Sequence, residues 1–411
     1  MNPTEKPVFR FPRTIYRVAW SFLAIAAVWG ALLRVQGVHP LIPLEYAHVL
    51  HAHSHAAFLG WVFNAFVALA LRLFVPLENG HEFRTVFWVM QIAVVGMLLT
   101  FPFQGYAAAS ISFSTLHLIG GAMFAWKLLR QSVVVTPARW ALRWAIVFLL
   151  LSAAGPLALG PMSAMGLKGS PWYQFAIYFY LHFQYNGWFI FFLLAALIQR
   201  RPDCTTTSGT KHLLSSIHWL ASGCLLTVVL SAWWMGPPRW MFLVAIIGGV
   251  AQLVGFLGLL RARLHPGLFS SPIGSVLGTI ALAAFAMKLI LQLTSGLPAF
   301  AELAMARPVV IGFLHLVFLG VVTPVLLAWA AEFSWLRIRG VAAAGLGLLL
   351  LGAGASELVL FAQPLPLLAA TLGPWLYRPE VLAASAVTMA LGVLLIGTGL
   401  TSAKSDHAES P

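Results

Sequence analysis

Of the 411 residues, 60% are hydrophobic and 9% charged, and the mean hydropathy is +0.89. A soluble domain carries about a quarter charged residues, so this chain cannot cover a water-facing surface and is read as a membrane protein. The net charge of +13 does not indicate a nucleic-acid partner, because Lys and Arg fall in short clusters between apolar runs and form no basic helix or patch.

Cys204 and Cys224 are too few and too poorly placed for a disulfide framework or a Cys-based metal site. The first sixteen residues are polar and basic and run straight into a full-length apolar span, unlike a cleaved signal peptide.

A membrane-crossing helix needs roughly 20 mostly apolar residues. Twelve windows meet that requirement: about 16–35, 48–74, 85–103, 108–129, 139–160, 173–199, 212–235, 239–261, 273–295, 308–331, 340–362 and 381–402. Turn residues punctuate them, among them Pro76 to Gly80, Pro137, Pro237–Pro238, Pro266, Pro298 and Pro374. The apolar loop at 156–172 is expected to lie along the outer interface.

Charge sets the orientation. With the N-terminus inside, only Arg34, Lys168, Arg239, Arg307 and Arg378 fall on the outer side and Lys288 falls within span nine; the other 18 of the 24 Lys and Arg are cytoplasmic. This is the positive-inside pattern. The expected fold is an all-α integral membrane protein of about twelve transmembrane helices, N-in and C-in, with residues 1–402 as a single transmembrane domain and 403–411 as a disordered polar cytoplasmic tail.

Ionisable groups within a membrane are costly and mark function. Spans two, four, six and ten place His55, His117, His182 and His315 at a similar depth, roughly 10–14 Å below their outer ends. Three of these histidines have matching surroundings: His55-Ala-Ala-Phe-Leu-Gly60, His182-Phe-Gln-Tyr-Asn-Gly187 and His315-Leu-Val-Phe-Leu-Gly320. Glycine at that spacing lets a flat macrocycle or another helix come close.

Span two also carries His48, His51 and His53; His51 and His55 share a face, whereas His53 points elsewhere. On span six, Tyr178, His182, Tyr185 and Asn186 share a face, and two uses fit them: a pocket for a metal ion, gas or water chain, or a polar network locking the helix to its neighbours.

Twelve spans with outer-half histidines on spans two, six and ten resemble subunit I of the haem-copper oxidase superfamily. The segment His53-Ser-His-Ala-Ala-Phe-Leu-Gly-Trp61 is similar to the H-x-H helix of its nitric-oxide-reductase and C-type branches, and to the His-rich opening of the haem- and copper-containing family tied to nitric-oxide response. The resemblance implies a haem-copper-oxidase-like bundle in which His55 and His315 are the axial ligands of one low-spin haem, expected to be b-type. It also implies Arg378 as a partner for the haem propionates, and His182 as a ligand to copper. His117 and His53 complete the candidate metal ligands.

The same resemblance marks departures. Span ten has Phe313 and Val317 where the family places the high-spin haem ligand, and the end of span seven reads Ser231-Ala-Trp-Trp-Met235 where it places two copper histidines. His218 lies near the opposite end of span seven, and Asn186 occupies the position of the family's tyrosine.

The expectation is a haem-binding protein that is redox-active or reacts with nitric oxide or dioxygen, with a degraded or absent binuclear copper centre. Its partners would be the lipid bilayer and an electron-donating cytochrome or other subunit, and its place the bacterial cytoplasmic membrane. The alternative is a transporter or maturation factor for copper, haem or another small solute, to which intramembrane histidines and the Met162-x-x-Met165 pair are also suited.

Overall fold

Local sequence builds helix almost everywhere, because backbone amides in a bilayer must be satisfied within their own segment. In the computed structural model, which describes residues 10–41, 43–200, 207–262, 269–365, 370–371 and 373–401, twelve helices are long and apolar enough to cross a membrane. They are α1 (Phe11–Gln36), α2 (Tyr46–Leu73), α3 (Leu77–Gln104), α4 (Ala108–Gln131), α5 (Thr136–Ala164), α6 (Pro171–Gln199), α7 (Gly209–Met235), α8 (Arg239–Arg261), α9 (Pro272–Thr294), α10 (Arg307–Glu332), α11 (Val341–Ala362) and α12 (Pro379–Gly397). The chain is a multi-pass integral membrane protein. The expected tail at 403–411 lies outside the described residues.

One expectation is corrected. The stretch after residue 155 is not an interfacial loop over its whole length: after a break at Ala153, Ala154–Ala164 is helical and extends α5. The reason is packing. Gly155 lies against the Ala176 carbonyl and Tyr180 of α6, so the helix continues despite Pro161.

Contacts divide the chain into two units. The first comprises α1 to α4, residues 330–352 and α12; the second comprises α5 to α10 and residues 353–378. In the first, α1 packs on α2 and α12, and α3 packs on α4. Its core holds Tyr16, Trp20 and Trp61, with ring centroids 5.7 Å (Tyr16–Trp61) and 5.8 Å (Trp20–Trp61) apart. Asn64 and Gln91 exchange two amide hydrogen bonds of 2.8 and 3.0 Å there, which satisfies polar groups that would otherwise be costly in hydrocarbon. In the second unit, α5 packs on α6, α7 on α8, and α9 on α10.

Consecutive helices pair along the chain: α1/α2, α3/α4, α5/α6, α7/α8 and α9/α10. The start of α11 completes the series, Gly345 lying against Gly392 of α12.

Candidate functional site

Three helices change form at a histidine. In α2 the α-helix ends at His55 and a π-helix runs Ala56–Val62; in α6 it ends at His182 and a π-helix runs Phe183–Phe189; in α10 it ends at His315 and a π-helix runs Leu316–Val322. Each π segment has seven residues, with glycine fifth: Gly60, Gly187 and Gly320. Single-turn π segments in α-helices are rare and frequently occur at functional sites.

The glycines admit a neighbouring helix. A Cβ at Gly60 would stand 2.6 Å from Cβ of Phe22 on α1, one at Gly187 2.5 Å from Cβ of Phe148 on α5, and one at Gly320 2.9 Å from Cβ of Ala284 on α9. Each π turn is therefore packed by the helix that precedes it in the chain. Of the two uses that the sequence left open for these glycines, close approach of a helix is the observed one.

In the first unit, His55 donates from Nδ1 to the His51 carbonyl at 2.7 Å. That fixes the tautomer and leaves Nε2 as the acceptor, the arrangement found in metal-bound histidines. Its ring stacks on Phe101 with centroids 4.4 Å apart. His117 on α4 is 2% exposed, lies edge-on to Phe63, and has a buried Nε2 without a hydrogen-bond partner. It stands close enough to His55 for the two imidazoles to interact electrostatically.

His53 faces another way: its Nδ1 bonds the Ala26 carbonyl at 2.8 Å, and its ring covers Gly30 of α1. His51 packs against Tyr106, and His48 pairs with Glu45 at 3.0 Å near the helix start.

In the second unit, His182 bridges helices. One ring nitrogen, Nε2, lies 2.8 Å from the Cys224 carbonyl of α7, and the other, Nδ1, lies 3.1 Å from the Asn186 amide nitrogen. Trp233 and Trp234 of α7 and Phe313 of α10 gather with it. His182, Asn186, Trp233, Trp234 and Phe313 line one cavity of about 180 Å³. Val317 is fully buried elsewhere in the packing of α10, and His315 is half-buried. Arg378 is exposed. Among the described residues, no three or more His, Cys, Asp or Glu stand together as a metal-binding group.

Sequence reasoning missed a second polar cluster. Lys288 on α9, 1% exposed, donates to Gln252 of α8 at 3.2 Å. Gln252 and Gln292 both donate to the Thr227 hydroxyl of α7, at 2.9 and 2.7 Å. A lysine and two glutamines within apolar spans are visible in the sequence, but nothing there shows that three helices bring them to one threonine.

The comparison with solved structures bears on this arrangement. A haem-copper terminal oxidase, solved by cryo-electron microscopy as a dimer, aligns with a TM-score of 0.65 over 98% of this chain and 84% of its own, at 13% identity. The chain has that oxidase's fold. No family model and no curated protein matches its sequence. The likeness is one of architecture alone.

Proposed function

We propose that this protein binds haem within a haem-copper-oxidase fold, with His55 and His315 as axial ligands of one low-spin b-type haem, and that it acts in electron transfer or in reaction with nitric oxide or dioxygen. The observation that carries the reading is the repeated placement of a histidine at the head of a π turn on α2, α6 and α10. His55 fits the role chemically, since its Nδ1–H is held by a carbonyl and its Nε2 is left to coordinate. When bound, the haem supplies one-electron chemistry, and imidazole ligation with burial sets its potential. Arg378, exposed between α11 and α12, suits charge-assisted pairing with propionates.

The binuclear centre of a complete oxidase is read as degraded. Both ring nitrogens of His182 are engaged by Cys224 and Asn186, so copper binding there would require breaking one of these bonds. Phe313, Trp233 and Trp234 surround the same cavity and supply no imidazole. The proposal includes an electron-donating cytochrome or other subunit as partner, and the bacterial cytoplasmic membrane, N-in and C-in, as location.

Absorption spectra of detergent-purified protein, oxidised and dithionite-reduced, test the reading. Sharp reduced α and β bands are expected; a colourless preparation selects the transporter or maturation-factor alternative. With artificial electron donors, oxygen consumption is expected to stay near background. Robust turnover with the haem and copper content of a full oxidase would refute the degraded centre.

A further inference from the structure

We propose that the second unit binds one anionic phospholipid where α5 meets α7, near the end from which both helices start. Arg143 holds the phosphate, and the acyl chains run down beside Trp140.

The site is a ladder of rings between the two helices. Arg143 stands over the Trp140 indole, its Cζ 5.3 Å from the ring centroid. The imidazole of His218, on α7, lies 5.3 Å from the same indole, centroid to centroid. His218 also meets Trp144 edge-on at 6.4 Å, and Trp144 stacks on Phe148 at 5.5 Å. Phe148 is fully buried, whereas Trp140 is 37% exposed and Arg143 is exposed. The ladder thus runs from a fixed core ring out to a guanidinium at the surface. His218 is itself anchored, because its Nδ1 donates to the Leu214 carbonyl at 2.7 Å. Trp140 is therefore backed by a held ring.

Arg143 has no hydrogen-bond or ion-pair partner among the described residues. Stacking on an indole occupies the face of a guanidinium and leaves its N–H edge for a planar or tetrahedral oxyanion, which it can grip with two bonds.

Position selects a lipid as the source of that oxyanion. α5 begins at Thr136, so Arg143 lies roughly 10 Å along the helix at 1.5 Å per residue. That depth suits a side chain reaching up to the headgroups from the top of the hydrocarbon. Charge selects an anionic headgroup. The same end of the unit carries Arg139, Arg200, Lys211 and Arg261. Of the described acids of the unit, Glu302 lies between α9 and α10 at the other end, and Glu357 lies late in α11. A choline or ethanolamine group would bring a further cation to a face without a described acid to receive it. Basic sites between transmembrane helices recognise anionic headgroups in this way.

Haem plays no part in this site, so a colourless preparation that retains the lipid keeps the proposal. The full chain is reconstituted in nanodiscs of phosphatidylcholine and phosphatidylglycerol in equal parts, extracted into detergent and measured by native mass spectrometry. One phosphatidylglycerol is expected to stay with each wild-type chain, retained at least tenfold over phosphatidylcholine. Arg143→Gln and Trp140→Leu are each expected to lose it. Trp140→Phe, which keeps a ring under the guanidinium, is expected to hold it. Arg261→Gln removes an equal charge from the same end and is expected to leave retention unchanged. Equal retention of the two lipids by the wild-type chain, or equal losses from Arg143→Gln and Arg261→Gln, overturns the proposal and leaves only the general attraction of a basic face for an anionic membrane.

Discussion

Replacing Gly187 with leucine is expected to destabilise the protein by roughly 3 kcal/mol, the upper part of the usual range for overpacking a filled core. Its Cβ would fall 2.5 Å from both Cβ and Cγ of Phe148. Phe148 cannot move aside, because it is fully buried and its ring lies nearly parallel to Phe183, centroids 5.6 Å apart. The far end of a flexible side chain could yield; these are the atoms nearest the backbone. The π turn that carries Gly187 would have to shift, and with it the position of His182 five residues earlier. Gly347→Leu is the control, since a Cβ there meets nothing within 4 Å. Thermal unfolding in detergent, followed by tryptophan fluorescence, should show a marked fall in melting temperature for Gly187→Leu and little change for Gly347→Leu. Equal melting temperatures would mean that α5 and α6 are not packed through this glycine.

The second large effect is expected at His182. Its imidazole ties α6 to the backbone of α7 and orients Asn186, while its ring stands edge-on to Phe183. His182→Ala removes both hydrogen bonds, leaves the Asn186 amide unpaired and opens a void at a site only 7% exposed. Loss of two buried hydrogen bonds together with a cavity amounts to about 2–4 kcal/mol. The melting temperature should therefore fall by an amount comparable to that of Gly187→Leu. A variant that melts like wild type but has altered copper or nitric-oxide binding would instead make His182 a ligand first and a bridge second.

Much of this architecture is legible in the sequence because the membrane imposes it. Apolar length marks the twelve helices, and most span edges fall within a few residues of the structure; the α-helical part of α3 begins at Arg84, beside the expected residue 85, preceded by a 3-10 segment over Leu77–Phe83. The His-x₄-Gly spacing at residues 55, 182 and 315 marks the three special turns. The π form itself is not legible: one inserted residue alters the hydrogen-bond step without a periodicity that a seven-residue stretch can display. Helical continuity from Pro161 to Ala164, beyond the expected span end at residue 160, is obscured by Pro161, which usually ends a helix but is tolerated within this one.

The two polar groups differ in the same way. His182, Tyr185 and Asn186 share a face of one helix, so spacing alone brings them together. Thr227, Gln252, Lys288 and Gln292 come from α7, α8 and α9, and only tertiary packing unites them. His53 shows the reverse. Its place in a His-rich run is plain in the sequence, whereas the bond by which its ring joins α2 to α1 through the Ala26 carbonyl is set by tertiary packing.

The central claim, that His55 and His315 hold a haem, is tested most directly by reduced-minus-oxidised spectra of purified His55→Ala, His315→Ala and His117→Ala variants, each normalised to inserted protein. His117 is the informative comparison, because its buried Nε2 near His55 makes it the other imidazole able to complete an axial pair in the first unit. The bis-imidazole bands are expected to vanish in the His55 and His315 variants and to persist in the His117 variant. Wild-type bands in both the His55 and His315 variants, or bands lost with His117 and kept without His315, would contradict it.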